Sequence, residues 1–98
     1  MRADNKKFLI TFNTRMGMCV CPCDKANVVA FLHGYEYGTG GECRFTEAIS
    51  RLLETKYKIK SGPHGWPEQL RRLAEKKSLE WMDVYLLVSS EVLSGALK

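Results

Sequence analysis

Two short apolar runs lie at opposite ends of this chain, and the fold must bring them together or account for them apart. Lys7 to Asn13 alternates, with Phe8, Ile10 and Phe12 on one face and Leu9, Thr11 and Asn13 on the other. That is the period of a strand with one strongly apolar face. Val84 to Ser89, VYLLVS, is rich in β-branched and aromatic residues, the composition that suits a pleated sheet. Each run is the natural partner of the other. Met18 to Cys23 adds a possible return strand with Cys19, Cys21 and Cys23 on one side. Pro22 confines it to an edge, because proline cannot donate to a ladder.

Between the runs the signals are helical. Asp24 suits an N-cap for a helix from Lys25 to His33, with Gly34 as its stop. Ala26, Val29, Ala30 and His33 share one face, yet Val28, Phe31 and Leu32 fill the other. A helix apolar nearly all round predicts a central core position. Tyr35 to Phe45 holds Gly38, Gly40 and Gly41, which allow tight turns, and reads equally as a small hairpin or a mobile loop. Thr46 is placed to cap a helix to about Tyr57, with Ala48, Ile49, Leu52 and Leu53 inward and Glu47–Arg51 and Glu54–Lys58 as i,i+4 pairs. After a loop from Ser61 to Trp66, Pro67 fits the first helical position of a segment reaching Lys76, with Leu70, Leu73 and Ala74 inward. The order strand–helix–helix–helix–strand predicts an α+β fold, a small sheet of two to three strands covered by about three helices.

At 98 residues the chain fits a single compact domain, 1–98, with 1–6 and 95–98 frayed. An apolar fraction of 45% with 27% charged residues excludes a wholly disordered chain. The longest uncharged run, Ala26 to Tyr35, falls far short of the roughly 20 apolar residues a membrane span needs. FLITF is too short for a secretory signal. The expected location is therefore the cytoplasm, where Cys19, Cys21, Cys23 and Cys43 are reduced thiols.

Charge is concentrated in one stretch. From Lys56 to Lys77, seven cations face only Glu68 and Glu75, a surplus of five in a chain whose net charge is +4. On a helix from Pro67, Glu68 pairs with Arg72 and Arg71 with Glu75, which removes part of the surplus. The candidate partner-binding set is Lys56, Lys58, Lys60, Trp66, Pro67, Arg71, Arg72 and Lys76: a basic rim around an aromatic–proline hinge. Trp, Tyr and Arg commonly anchor protein interfaces. Tyr57 and Trp66 among lysines would equally stack on single-stranded bases, although no nucleic-acid motif accompanies them. Trp66-Pro67 is an aromatic–proline bond of the kind that isomerises slowly and that a prolyl isomerase acts on; the alternative is a proline that simply starts a helix.

Enzymatic chemistry is not signalled. Cys19-x-Cys21-x-Cys23 with Cys43 supplies the four thiols of a structural zinc site. The one-residue gaps depart from the usual knuckle, placing neighbouring ligands about 6 to 7 Å apart on a strand. The expectation is no metal and no cofactor, with a zinc-stabilised adaptor as the alternative. Arg44 beside Cys43 would lower a thiol pKa, but no base is placed by sequence. The Gly38–Gly41 cluster lacks the Lys-Ser/Thr of a phosphate loop. Asp83 lacks a carboxylate partner in a nuclease-like pattern.

With FLITFNTRMGMCVCPC near its start and GPHGWPEQLRRLAEKK in its second half, on a short basic chain, the sequence resembles the bacteriophage anti-RecBCD accessory proteins of the Abc class. The resemblance implies a non-enzymatic phage protein acting in the host cytoplasm. It would dock on the RecC subunit of the host RecBCD helicase-nuclease, inhibit or modulate it, protect phage DNA ends and favour phage recombination. The family's association with a host cyclophilin would give Trp66-Pro67 a role. A direct nucleic-acid binder using the same basic surface is the alternative.

Overall fold

The runs at 7–13 and 84–89 are both helical. The computed structural model describes residues 3–16, 24–40 and 43–95. Among them are five helices: α1 (Ala3–Thr14), α2 (Lys25–Gly38), α3 (Phe45–Thr55), α4 (Gly65–Lys77) and α5 (Trp81–Gly95). The described residues contain no strand, so the fold is helical and the α+β expectation is corrected. The expected strand at 18–23 lies outside the described residues.

The reason is visible in which residues are buried. Asn5, Leu9, Phe12 and Met16 face inward at spacings of four, three and four. Phe8 and Ile10, on the supposed inner face of a strand, are 36% and 43% exposed. A period near 3.6 therefore governs the segment, and the alternation of 8, 10 and 12 is incidental. VYLLVS sits inside a longer helical pattern, in which Val84, Tyr85, Val88, Ser89, Val92 and Leu93 are buried. A six-residue window cannot separate a strand from a buried helix segment, whereas the fifteen-residue element can.

Helix α5 packs on α1, α3 and α4, and α3 packs on α4. Polar side chains fix the register of α1 on α5. The Tyr85 hydroxyl donates to Asn13 Oδ1 at 2.9 Å, and Asn13 Nδ2 donates to Ser89 Oγ at 3.0 Å. Helix α2 meets α1 through rings: Phe12 stacks on Phe31 and Phe8 on Tyr35, each at 4.5 Å between centroids. The Tyr35 hydroxyl reaches Asn5 Oδ1 at 2.6 Å.

Helix α2 is not the central helix its composition predicts. Only Val28 and Leu32 are buried, while Ala26, Ala30, His33 and Gly34 face out. Alanines make that face apolar by composition without making it large, so it flanks the core. Asp24 caps the helix as expected, accepting from Asn27 N–H at 3.0 Å. The helix nevertheless runs through Gly34 to Gly38. A Cβ at Gly34 meets nothing within 4 Å. Gly34→Ala is therefore expected to raise stability by about 0.5–1 kcal/mol, read as a higher urea midpoint with unchanged slope.

Thr46 does not cap α3. The helix starts at Phe45, and Arg44 at the cap position supplies no side-chain bond. Glu36 of α2 acts instead. Its carboxylate accepts from the Thr46 N–H at 2.8 Å and from the Thr46 hydroxyl at 2.6 Å. A carboxylate at a helix N-terminus satisfies an orphan donor and favours the helix dipole. At the other end of the core, Ser78 adopts φ 56°, ψ 43° after α4. The Leu79 N–H then reaches Ala74 O at 2.9 Å and the Ser78 N–H reaches Glu75 O at 3.3 Å. This left-handed C-terminal motif turns the chain from α4 directly into α5.

Candidate partner-binding surface

The basic stretch folds into the end of α3, a connecting segment at 56–64, and α4. The connection is held from below. Lys58 takes a left-handed conformation, φ 59°, which reverses the chain and drops Ile59 into the core at 8% exposure. Ile59 N–H bonds to Leu53 O at 2.9 Å. Gln69, wholly buried on α4, donates from Nε2 to Ile59 O at 3.0 Å and accepts the Ser50 hydroxyl at 2.6 Å. One turn away, Arg72 donates from its guanidinium to Lys60 O at 2.6 Å. Its Nε has no partner among the described residues. Backbone on both sides of the Ile59–Lys60 peptide is thus tied to α4, and Lys58 and Lys60 project from a fixed loop.

The predicted cations divide into bound and free. Arg71 bridges Glu68 and Glu75, at 2.5 Å and 2.6 Å. The Arg71 bond and charge hold the Glu68 carboxyl below its usual range. The expected Glu68–Arg72 and Glu54–Lys58 pairs do not form: Arg72 is spent on the loop, and Lys58 lies beyond the helix. Glu47–Arg51 forms at 3.2 Å. Lys56 pairs with Glu91 of α5, which also accepts from the Tyr57 hydroxyl. Lys58, Lys60 and Lys76 are exposed and have no carboxylate partner among the described residues. Lys76 follows Arg72 by one turn, on the face that carries the loop. Lys77 lies over the Tyr57 ring, 5.8 Å from its centroid.

Glu91 is also a titrating clasp. Bonds from Lys56 and Tyr57 hold its carboxyl below the usual range. Burial, followed by the bond to Glu91, pushes the Tyr57 phenol up to about 12. The depressed carboxyl contributes stability above its unfolded value near ~4.3 and loses it as pH falls further. The raised phenol contributes below its unfolded value near ~10 and loses it as pH rises through about 12. Thermal melts of wild type and Glu91→Gln are expected to differ most between those limits and to converge as acid protonates Glu91.

Trp66 and Pro67 do not form an exposed hinge, which corrects the anchor expectation. Trp66 is 6% exposed. Its ring lies 6.2 Å from Trp81 and 6.5 Å from Tyr85, and its Nε1–H donates to His33 Nε2 at 3.2 Å. Trp66 belongs to the inner stripe of α4 with Gln69, Leu70, Leu73 and Ala74. Extending that stripe back one turn from Leu70 is the sequence signal that places it. Pro67 is the third residue of α4 and not its first as expected, because the helix starts at Gly65; it still lies in the first turn, where the N–H has no intrahelical acceptor to lose. Its carbonyl accepts from Trp81 Nε1 at 3.0 Å. A prolyl isomerase would have to open this turn to reach the bond.

The cysteine readings separate. Cys43 is buried and its thiol is pushed up, first by burial. That opposes the activation expected from Arg44, whose guanidinium turns to Glu47 at 3.8 Å. Cys19, Cys21 and Cys23 lie outside the described residues, and the zinc reading with them. Among the described residues no group of three or more metal-ligating side chains occurs, and no helix is long and apolar enough to cross a membrane. No family model, no curated protein and no solved structure matches the chain.

Proposed function

We propose that this chain is a non-catalytic docking protein that binds an acidic surface of the host RecBCD helicase-nuclease, on its RecC subunit, and so modulates the nuclease in favour of phage DNA. The partner's name rests on the resemblance to phage anti-RecBCD proteins. The observation that carries the docking role is the trio Lys58, Lys60 and Lys76. These are exposed cations without carboxylate partners among the described residues, two of them on a loop pinned by Gln69 and Arg72. A backbone already fixed in the free chain has less entropy to lose on binding, and charges at an interface set register and encounter rate. Trp66 is withdrawn from the contact set and serves the core; Arg71 and Lys56 are neutralised within the fold.

The test is affinity capture from a bacterial lysate treated with nuclease to remove DNA bridges. Wild type is expected to retain RecBCD, and the triple variant Lys58→Glu/Lys60→Glu/Lys76→Glu to bind at least about tenfold more weakly. Failure of the wild type to retain RecBCD would sink the assignment. A nucleic-acid binder would instead hold purified DNA with an affinity that falls steeply with salt.

A further inference from the structure

We propose that α1 and α5 form a face that pairs with the same face of a second copy of this chain, about a two-fold axis between Leu87 and Ser90. Ile10 and Leu87 are each 43% exposed on neighbouring helices. Two shallow hollows flank Ser90 and Ser94. One, of about 510 Å³, lies between α1 and α5 with Ile10 and Leu93 on its walls and Lys6 at its rim. The other, of about 690 Å³, runs along α5 with Leu86 and Leu87 on its wall and Asp83 at its rim. The small serines between them leave room for a second helix to approach.

The charges identify the occupant. Helix α1 runs antiparallel to α5, because Asn13 meets Tyr85 and Ser89 while Lys6 lies beside Leu93 and Ser94. Lys6 and Asp83 therefore mark opposite ends of one apolar strip. Asp83 and Ser94 are eleven residues apart, about 16 Å of helix. Neither charge has an ion-pair partner among the described residues. Glu91, at the edge of the strip, is already taken by Lys56. A two-fold axis makes residue i meet j and j meet i. Antiparallel pairing of two α5 helices about a point between Leu87 and Ser90, midway between Asp83 and Ser94, sets each Asp83 toward the other copy's Lys6 and closes Leu87 and Ile10 from water. A strip with one acid and one base at its two ends is complementary to itself.

None of these residues belongs to the lysine trio, so the proposal stands or falls apart from the docking role. The test is sedimentation equilibrium of the full chain from about 1 µM to about 1 mM, a range that brackets weak to moderate pairing. A concentration-dependent dimer is expected. Leu87→Glu should raise its dissociation constant at least about tenfold. Asp83→Lys and Lys6→Glu should each weaken it, and the double charge swap should restore it to within about threefold. Leu87→Ser serves as a second variant should the glutamate disturb the helical circular dichroism. A chain that stays monomeric throughout overturns the proposal, whatever other protein is found on this face. So does a dimer insensitive to Leu87, or a double swap that restores nothing.

Discussion

Trp66→Ala is expected to lower the stability of the folded chain by about 3–5 kcal/mol, the cost of truncating a large buried aromatic. Trp66 fills the space where α4 crosses α5, against the rings of Trp81 and Tyr85, and reaches α2 through His33. Truncation leaves a cavity among groups that cannot all collapse into it. Each ring pairing that Trp66 makes is worth about 0.5–1.5 kcal/mol beyond its buried area, and the alanine makes none. Domains of this size have roughly 5–15 kcal/mol in total, so the variant keeps a fraction of its reserve. Urea unfolding followed by helical circular dichroism measures the change; a loss under about 1 kcal/mol would contradict the burial. Loss of partner binding in this variant would report unfolding, not a missing contact. Trp66→Phe, which keeps most of the apolar volume, is the variant that separates the two.

Gln69→Ala is expected to cost about 2–4 kcal/mol, by a different route. Removing the amide leaves Ile59 O, buried beneath the loop, without its donor and the half-buried Ser50 hydroxyl of α3 without its acceptor. Each buried polar group left unpaired costs about 1–3 kcal/mol. Gln69→Leu fills the volume but leaves the same orphans, so it is expected to recover only part of the loss. The local consequence is as informative as the global one. Lys56, Lys58 and Lys60 offer trypsin three sites in the connection, and loosening Ile59 exposes them. Limited trypsin digestion is expected to cut there faster in Gln69→Ala than in wild type, at equal temperature and well below the melting point. Unchanged cleavage would show that Arg72 alone holds the loop.

How much of this fold is legible depends on the window over which a pattern is read. The inner stripes of α3 and α4 are readable because Ile49, Leu53, Leu70 and Leu73 repeat over several turns. The terminal helices pass for strands because six or seven residues around FLITF or VYLLVS satisfy a strand period as well as a helical one. The deciding residues, Met16 and Val92, lie outside those windows. The basic rim is legible as composition, but its wiring is not. Arg72 binds a backbone carbonyl at Lys60, twelve positions away in sequence, and Lys56 finds Glu91 on another helix. Pairings set by tertiary approach leave no local signature. Gln69 does leave one, a polar residue on an otherwise apolar stripe, and such a residue needs buried partners.

The link between Asn13 and the pair Tyr85 and Ser89 joins residues more than seventy positions apart. Helices α3, α4 and α5, by contrast, follow one another within 45–95 and pack mutually. Closing the long loop to α1 carries the larger entropy cost, so it follows the closing of the short ones. Loop-closure cost thus predicts that the chain assembles its second half first and closes α1 over it last. The same order in reverse predicts that α1 opens by itself, without global unfolding. In native-state hydrogen exchange, the amides of Leu9 and Phe12 are expected to exchange ahead of those of Leu53, Leu73 and Val88, although all five side chains are buried.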